Sequence, residues 1–110
     1  MRQISVRDLA DWLAAASRNE RPAPVLVDVR EPWETEICRI DGAIALPMAS
    51  IPARQQELDP ERDTVLICHH GARSFQVALF LERNGFSSVI NLSGGIDAWS
   101  RDVDATMPKY

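Results

Sequence analysis

The chain has 110 residues and a net charge of −4, with 12 basic residues against 16 acidic ones, 45% hydrophobic and 25% charged, which suits one ordinary globular domain with one core. No Lys/Arg stripe marks a nucleic-acid surface, and no apolar run approaches the roughly 18 residues of a bilayer span. Two cysteines are too few for a disulfide scaffold, and Met1 to Ser5 lacks the apolar stretch of a secretion signal, so the expected location is the reducing cytoplasm, where a cysteine is of interest for its reactivity.

Gln3-Ile4-Ser5 reads as a short extended entry. Ser5 is placed to cap a helix, with Asp8 three residues on. Leu9, Trp12, Leu13 and Ala16 fall at i, i+3, i+4 and i+7, which predicts a helix over 6–16 with one buried face. Arg21-Pro22-Ala23-Pro24 ends it as a linker. Val25-Leu26-Val27-Asp28 is an unbroken run of β-formers, the pattern of a strand covered on both faces. A short helix over 31–38 follows, with Pro32 in its first turn, where a missing N–H costs nothing. Asp41-Gly42 turns the chain into a second strand, Ala43 to Leu46, which Pro47 stops. Residues 51–58 are expected to be helical, and Asp59 to Asp63 form a polar turn.

Thr64 to Ile67 is the expected central strand, followed by the loop from Cys68 to Arg73. A helix is predicted from Ser74 to Asn84, with Val77, Ala78 and Leu81 on its apolar face and Asn84-Gly85 as its stop. Ser88 to Leu92 is the last strand, Ser93-Gly94-Gly95 a glycine turn, 96–101 a short helix and 102–110 a polar tail. Strands alternating with helices imply an α/β domain: a mostly parallel sheet of four or five strands with helices on both faces. Ligands of such sheets bind beyond the carboxyl ends of the strands. Asp28-Val29-Arg30, Cys68 to Arg73 and Ser93-Gly94-Gly95 all lie at such ends.

The Cys68 loop carries the chemistry. A thiol at a strand end, facing loop N–H groups and a helix N-terminus, suits an anion held near a sulfur nucleophile. Gly71 lets the backbone curl closely around one sulfur. From Val65 to Leu81 there is no acidic residue, so the segment reads as a local electropositive island.

Four segments together resemble the single-domain rhodaneses, thiosulfate or persulfide sulfurtransferases: Asp28-Val29-Arg30-Glu31-Pro32-Trp33-Glu34, Ile40-Asp41-Gly42-Ala43, Cys68-His69-His70-Gly71-Ala72-Arg73-Ser74, and Asn91-Leu92-Ser93-Gly94-Gly95-Ile96-Asp97-Ala98-Trp99. They stand in the family's order and cover most of 3–101. The resemblance implies a three-layer rhodanese-like fold and a two-step cycle in which Cys68 takes sulfur from a small anionic donor, becomes a persulfide, and passes the sulfur to cyanide, a thiol or a protein thiol. It gives Cys68 the covalent role and the amides of His69, His70, Gly71, Ala72, Arg73 and Ser74 the cradle, with Arg73 meeting the donor's charge or bracing the loop. Cys38-Arg39 depart from the Gly-His that members often carry there.

Rival readings remain beside this one. One is a sulfur-relay or sensor module, and another is an interaction domain whose cysteine is incidental. Cysteine phosphatases place five residues between cysteine and arginine. Here there are four, which makes a ring sized for a sulfane sulfur. Asp28 and Arg30 are read as supporting residues, Asp28 bonding backbone N–H groups and Arg30 in an ion pair. Trp33 and Trp99 are read as core or pocket wall, Trp12 as core, and Gly94-Gly95 as a structural turn. Cys38 is a candidate resolving thiol if it lies near Cys68. Neither cofactor nor metal is expected, since His69 and His70 are adjacent on a tight loop, stand in no larger Cys/His cluster and read as lining the mouth.

Overall fold

A computed structural model describes residues 1–110. Five parallel strands form one sheet: β1 (Arg2–Ile4), β2 (Val25–Asp28), β3 (Ile44–Ala45), β4 (Thr64–Ile67) and β5 (Val89–Leu92), in the order β1-β5-β4-β2-β3. The helices are α1 (Val6–Ser17), α2 (Pro32–Ile37), α3 (Ile51–Arg54), α4 (Ala72–Arg83) and α5 (Gly95–Asp102). No helix is long and apolar enough to cross a membrane.

The unbroken apolar runs are explained by two core layers, one on each side of the sheet. Val65 and Ile67 of β4 point into the layer built by α1 and α5, with Leu9, Trp12, Ile96 and Trp99. Leu66 and Cys68 point into the other, with Val77, Ala78 and Leu81 of α4 and Ile51 of α3. Successive residues of a strand face opposite sides, so a run buried on both faces must be apolar throughout. Ser5 caps α1 by accepting from the Asp8 N–H at 3.1 Å.

Four expectations change. The entry at 2–4 is a strand in its own right, paired with β5 from Arg2↔Ile90 to Ile4↔Leu92. The second strand pairs over Ile44–Ala45 alone, squeezed between Gly42 and Pro47 at the sheet edge. The helix expected over 51–58 breaks into a single turn, α3, flanked by 3-10 turns at Met48–Ser50 and Gln55–Glu57. Pro52 has no N–H to give, and the tightened chain brings Ile51 and Leu58 into one core layer. The tail folds back: Met107 joins the α1/α5 layer, and Tyr110 reaches the site described next.

Candidate active site

β4 lies at the centre of the sheet and ends directly before Cys68, which is buried. Gly71 takes a left-handed φ of +106°, and this closes the loop early. The helix that follows therefore starts at Ala72 and not at Ser74. Ala72, Arg73 and Ser74 become its first turn, whose N–H groups have no partner within the helix. The Ser74 N–H lies 3.4 Å from Cys68 Sγ and the Gly71 N–H 3.1 Å from it. Ser74 Oγ lies 3.2 Å from the same sulfur.

The loop is held from behind by α5. The Ile96 N–H donates to the Cys68 carbonyl at 2.9 Å and the Asp97 N–H to the His69 carbonyl at 3.0 Å. A Cβ on Gly95 would lie 2.4 Å from the Cys68 carbonyl oxygen, closer than non-bonded atoms can approach. The second glycine of Gly94-Gly95 thus clears the contact that seats the loop.

On the β2 side the bracing is ionic. Arg30 is fully buried. Its Nε and Nη2 reach Asp28 at 2.9 and 2.7 Å, Nη2 also reaches the Cys38 carbonyl at 2.7 Å, and Nη1 donates to the Tyr110 hydroxyl at 2.9 Å. Asp28 also accepts from the Arg30 N–H at 3.1 Å. Burial works against the Arg30 charge, but the hydrogen bonds it donates to Asp28 and Tyr110 outweigh it and raise its pKa. Arg73 leaves the loop to meet Glu34 of α2 through two contacts, at 2.7 and 2.9 Å. Glu34 also accepts from the Glu31 N–H and the Tyr110 hydroxyl, each at 2.9 Å. The Arg73 guanidinium, opposed by burial and helped by these donors, holds the Glu34 carboxyl down at about 2. Each cation beside the loop is therefore matched by a carboxylate, and the expected electropositive island reduces to N–H groups and a helix terminus.

Tyr110 also stacks on His69, with centroids 4.0 Å apart and planes at 11°, and His69 stacks on His70 at 4.0 Å and 25°. Burial, with the neighbouring charge of His70, lowers the His69 pKa. Burial pushes the Tyr110 phenol up to about 12, with Arg30 opposing and Glu34 assisting. Trp33, expected in the core or a pocket wall, is 59% exposed and sits edge-on to Tyr110 at 5.8 Å. Its neighbour Pro32 opens α2 at the surface, so the ring stands outside both core layers.

Asp97 comes up to the two histidines, with one ligating atom from each of the three within 4.8 Å of one another. Asp97 also faces Arg101 at 3.4 Å. Cys38 packs in the α1/α5 layer while Cys68 belongs to the other, and its sulfur lies 3.9 Å from Arg30 Nη1. The sheet thus stands between the two free thiols.

On the β5 side the contacts are neutral. Asn91 Oδ1 accepts from the Ser74 hydroxyl. Asn91 Nδ2 donates to Gln3 Oε1 at 2.9 Å and to the Gly71 carbonyl at 3.1 Å. An open cleft of about 390 Å³ lies here between Gln3, Asn91 and Ser93 on one side and His70, Gly71 and Ala72 on the other. Glu34, Asn91 and Tyr110 are the site residues that sequence reasoning missed. Asn91 did carry a signal, a polar residue inside a buried apolar strand.

A parallel α/β domain with a cysteine in an amide loop at the end of its central strand defines the class: a strand-end thiol platform. The rhodanese-like domain family matches residues 9–102, and the chain belongs to that family. A sulfurtransferase of Allochromatium vinosum is 46% identical over 77 residues, covering 70% of this chain and 72% of that protein. The rhodanese-like/PpiC domain-containing protein 12 of Arabidopsis thaliana is 44% identical over 89 residues, covering 77% of this chain but 30% of the longer plant protein. A crystal structure from Staphylococcus saprophyticus superposes with a TM-score of 0.82 at 32% identity, covering 94% of this chain and 97% of that one.

Proposed function

We propose that this chain is a sulfurtransferase that carries sulfane sulfur on Cys68. The observation that carries the reading is the Cys68 sulfur at the end of the central strand with the Gly71 and Ser74 N–H groups directed at it. The Cys68 thiolate attacks the outer sulfur of thiosulfate. The S–S bond of the donor breaks, sulfite leaves with the electron pair, and the new outer sulfur carries the negative charge. Loop N–H groups that face a thiolate suit that anion too. In the second step an acceptor thiolate or cyanide attacks the outer sulfur, and the Cys68 thiolate is released as leaving group. Neither step needs a cofactor. Arg73, locked to Glu34, braces the loop in this scheme.

The acceptor is a thiol or cyanide, and among thiols a protein thiol is favoured by Trp33. Large exposed aromatics are enriched where proteins meet, and this one is exposed and packs edge-on to Tyr110, which stacks on His69 of the loop. The test is turnover: Cys68→Ser abolishes thiocyanate formation from thiosulfate and cyanide while circular dichroism stays native-like, and full activity in that variant would place the nucleophile elsewhere.

A further inference from the structure

We propose that Asn91 is a positioning residue that holds the Ser74 hydroxyl proton away from the Cys68 sulfur, so that the resting thiol gives its own proton to Ser74. The inference rests on the reading of Cys68 as the nucleophile. It starts from the orientation of one buried amide. Asn91 is 2% exposed within a strand whose other members, Val89, Ile90 and Leu92, are apolar. Nothing in the packing of that strand calls for an amide, and a buried amide is tolerated when its hydrogen bonds are made.

Which end of the amide faces the loop is decided by the Gly71 carbonyl, 3.1 Å away. A carbonyl oxygen can only accept, so the amide atom facing it is the nitrogen. The second N–H goes to Gln3 Oε1. That leaves Oδ1 facing Ser74, and an amide oxygen also can only accept. The single hydroxyl hydrogen of Ser74 is therefore committed to Asn91. Across the 3.2 Å contact between Ser74 Oγ and Cys68 Sγ, the shared proton then comes from sulfur. The row reads S–H to Oγ, O–H to Oδ1.

The consequence falls on the charged forms of Cys68. A bare thiolate has no proton to give Ser74, and it gains the Ser74 hydroxyl as donor only if Asn91 gives it up. Once a second sulfur is attached, the negative charge sits on the outer atom and the inner sulfur has no need of a strong donor. Asn91 therefore makes the bare thiolate less favourable than the loop amides alone would, and leaves the loaded form untouched.

The experiment measures thiolate absorbance against pH, without any sulfur donor, in a Cys38→Ala background so that one thiol is read. With Asn91 present, Ser74→Ala is expected to leave the Cys68 ionisation midpoint unchanged or to lower it, since the hydroxyl serves the thiol and not the thiolate. In an Asn91→Ala background the freed hydroxyl turns to the thiolate, and Ser74→Ala there is expected to raise the midpoint by about 1 pH unit, the worth of one hydrogen bond to a charged group. The reversal of sign is the signature, because a merely structural loosening by Asn91→Ala shifts both members of that pair alike. A rise of about 1 unit on Ser74→Ala with Asn91 intact would overturn the proposal by itself, whether or not the Asn91 variant folds. Because no sulfur is moved, the outcome is independent of whether the chain transfers it.

Discussion

Cys68 is held from two sides by different means. On the β2 side stand two arginine–carboxylate pairs, Arg30–Asp28 and Arg73–Glu34, joined by the Tyr110 hydroxyl. On the β5 side stand a serine, an asparagine and a glutamine, none of them charged. The side chain that touches the sulfur, Ser74, belongs to the neutral side. The charged side fixes where the loop begins and leaves, while the neutral side sets the hydrogens that the sulfur meets.

If the division is right, breaking the charged side costs stability first. Arg30→Met leaves Asp28 buried without its partner and is expected to cost about 3–5 kcal/mol, read as a lower urea midpoint. A loss below about 1 kcal/mol would mean that water reaches Asp28 and that the pair is not the brace.

Glu34→Gln comes next. The Glu34 pKa is depressed from 4.5 to about 2 by Arg73, against the opposing effect of burial. A depressed carboxylate stabilises the fold above its unfolded pKa and loses that contribution as pH falls through the folded value. The contribution is up to about 3 kcal/mol at neutral pH, reduced because Arg73 is 37% exposed. The native chain is expected to lose it between pH 4.5 and 2, and Glu34→Gln to lack that dependence. The same slope in both proteins would separate Glu34 from the acid response.

His69 supplies a smaller effect of the same sense. Burial and His70 lower its pKa from 6.5, so the neutral ring is favoured in the fold. That contribution is complete above pH 6.5 and declines as pH falls below it. His69→Phe, which keeps a flat ring against Tyr110 but cannot take a proton, is expected to flatten the stability profile just below pH 6.5. An unchanged profile would assign that dependence to other groups.

The smallest effect is Tyr110→Phe, which removes one hydroxyl bridging Arg30 and Glu34 and keeps the ring on His69. It is expected to cost about 1–2 kcal/mol and to leave the Cys68 ionisation midpoint in place, since the phenol makes no contact with sulfur. A midpoint shift as large as that expected from Ser74 in the Asn91→Ala background would erase the difference between the two sides.

The two sides were also unequally legible. The alternating elements, the two-faced strands and the Cys68 loop follow from local pattern, because burial and turn chemistry are written in neighbouring residues. The pairing of Arg73 with Glu34 spans 39 positions and that of Tyr110 with Arg30 spans 80. No local period encodes such distances, and a stretch like Ala105-Thr106-Met107-Pro108-Lys109-Tyr110 reads as a tail until its contacts are seen. The early start of α4 was hidden for another reason: the left-handed turn at Gly71 sets it, and glycine tolerates several turn geometries. Asn91 was in plain view as a polar residue in an apolar strand, but its role depends on which way its amide faces.

The most direct measurement is the intact mass of the protein after incubation with thiosulfate, followed by peptide mapping. The account predicts a gain of one sulfur, about 32 Da, located on Cys68 and removed by cyanide. No gain, or a gain located on Cys38 alone, would contradict it.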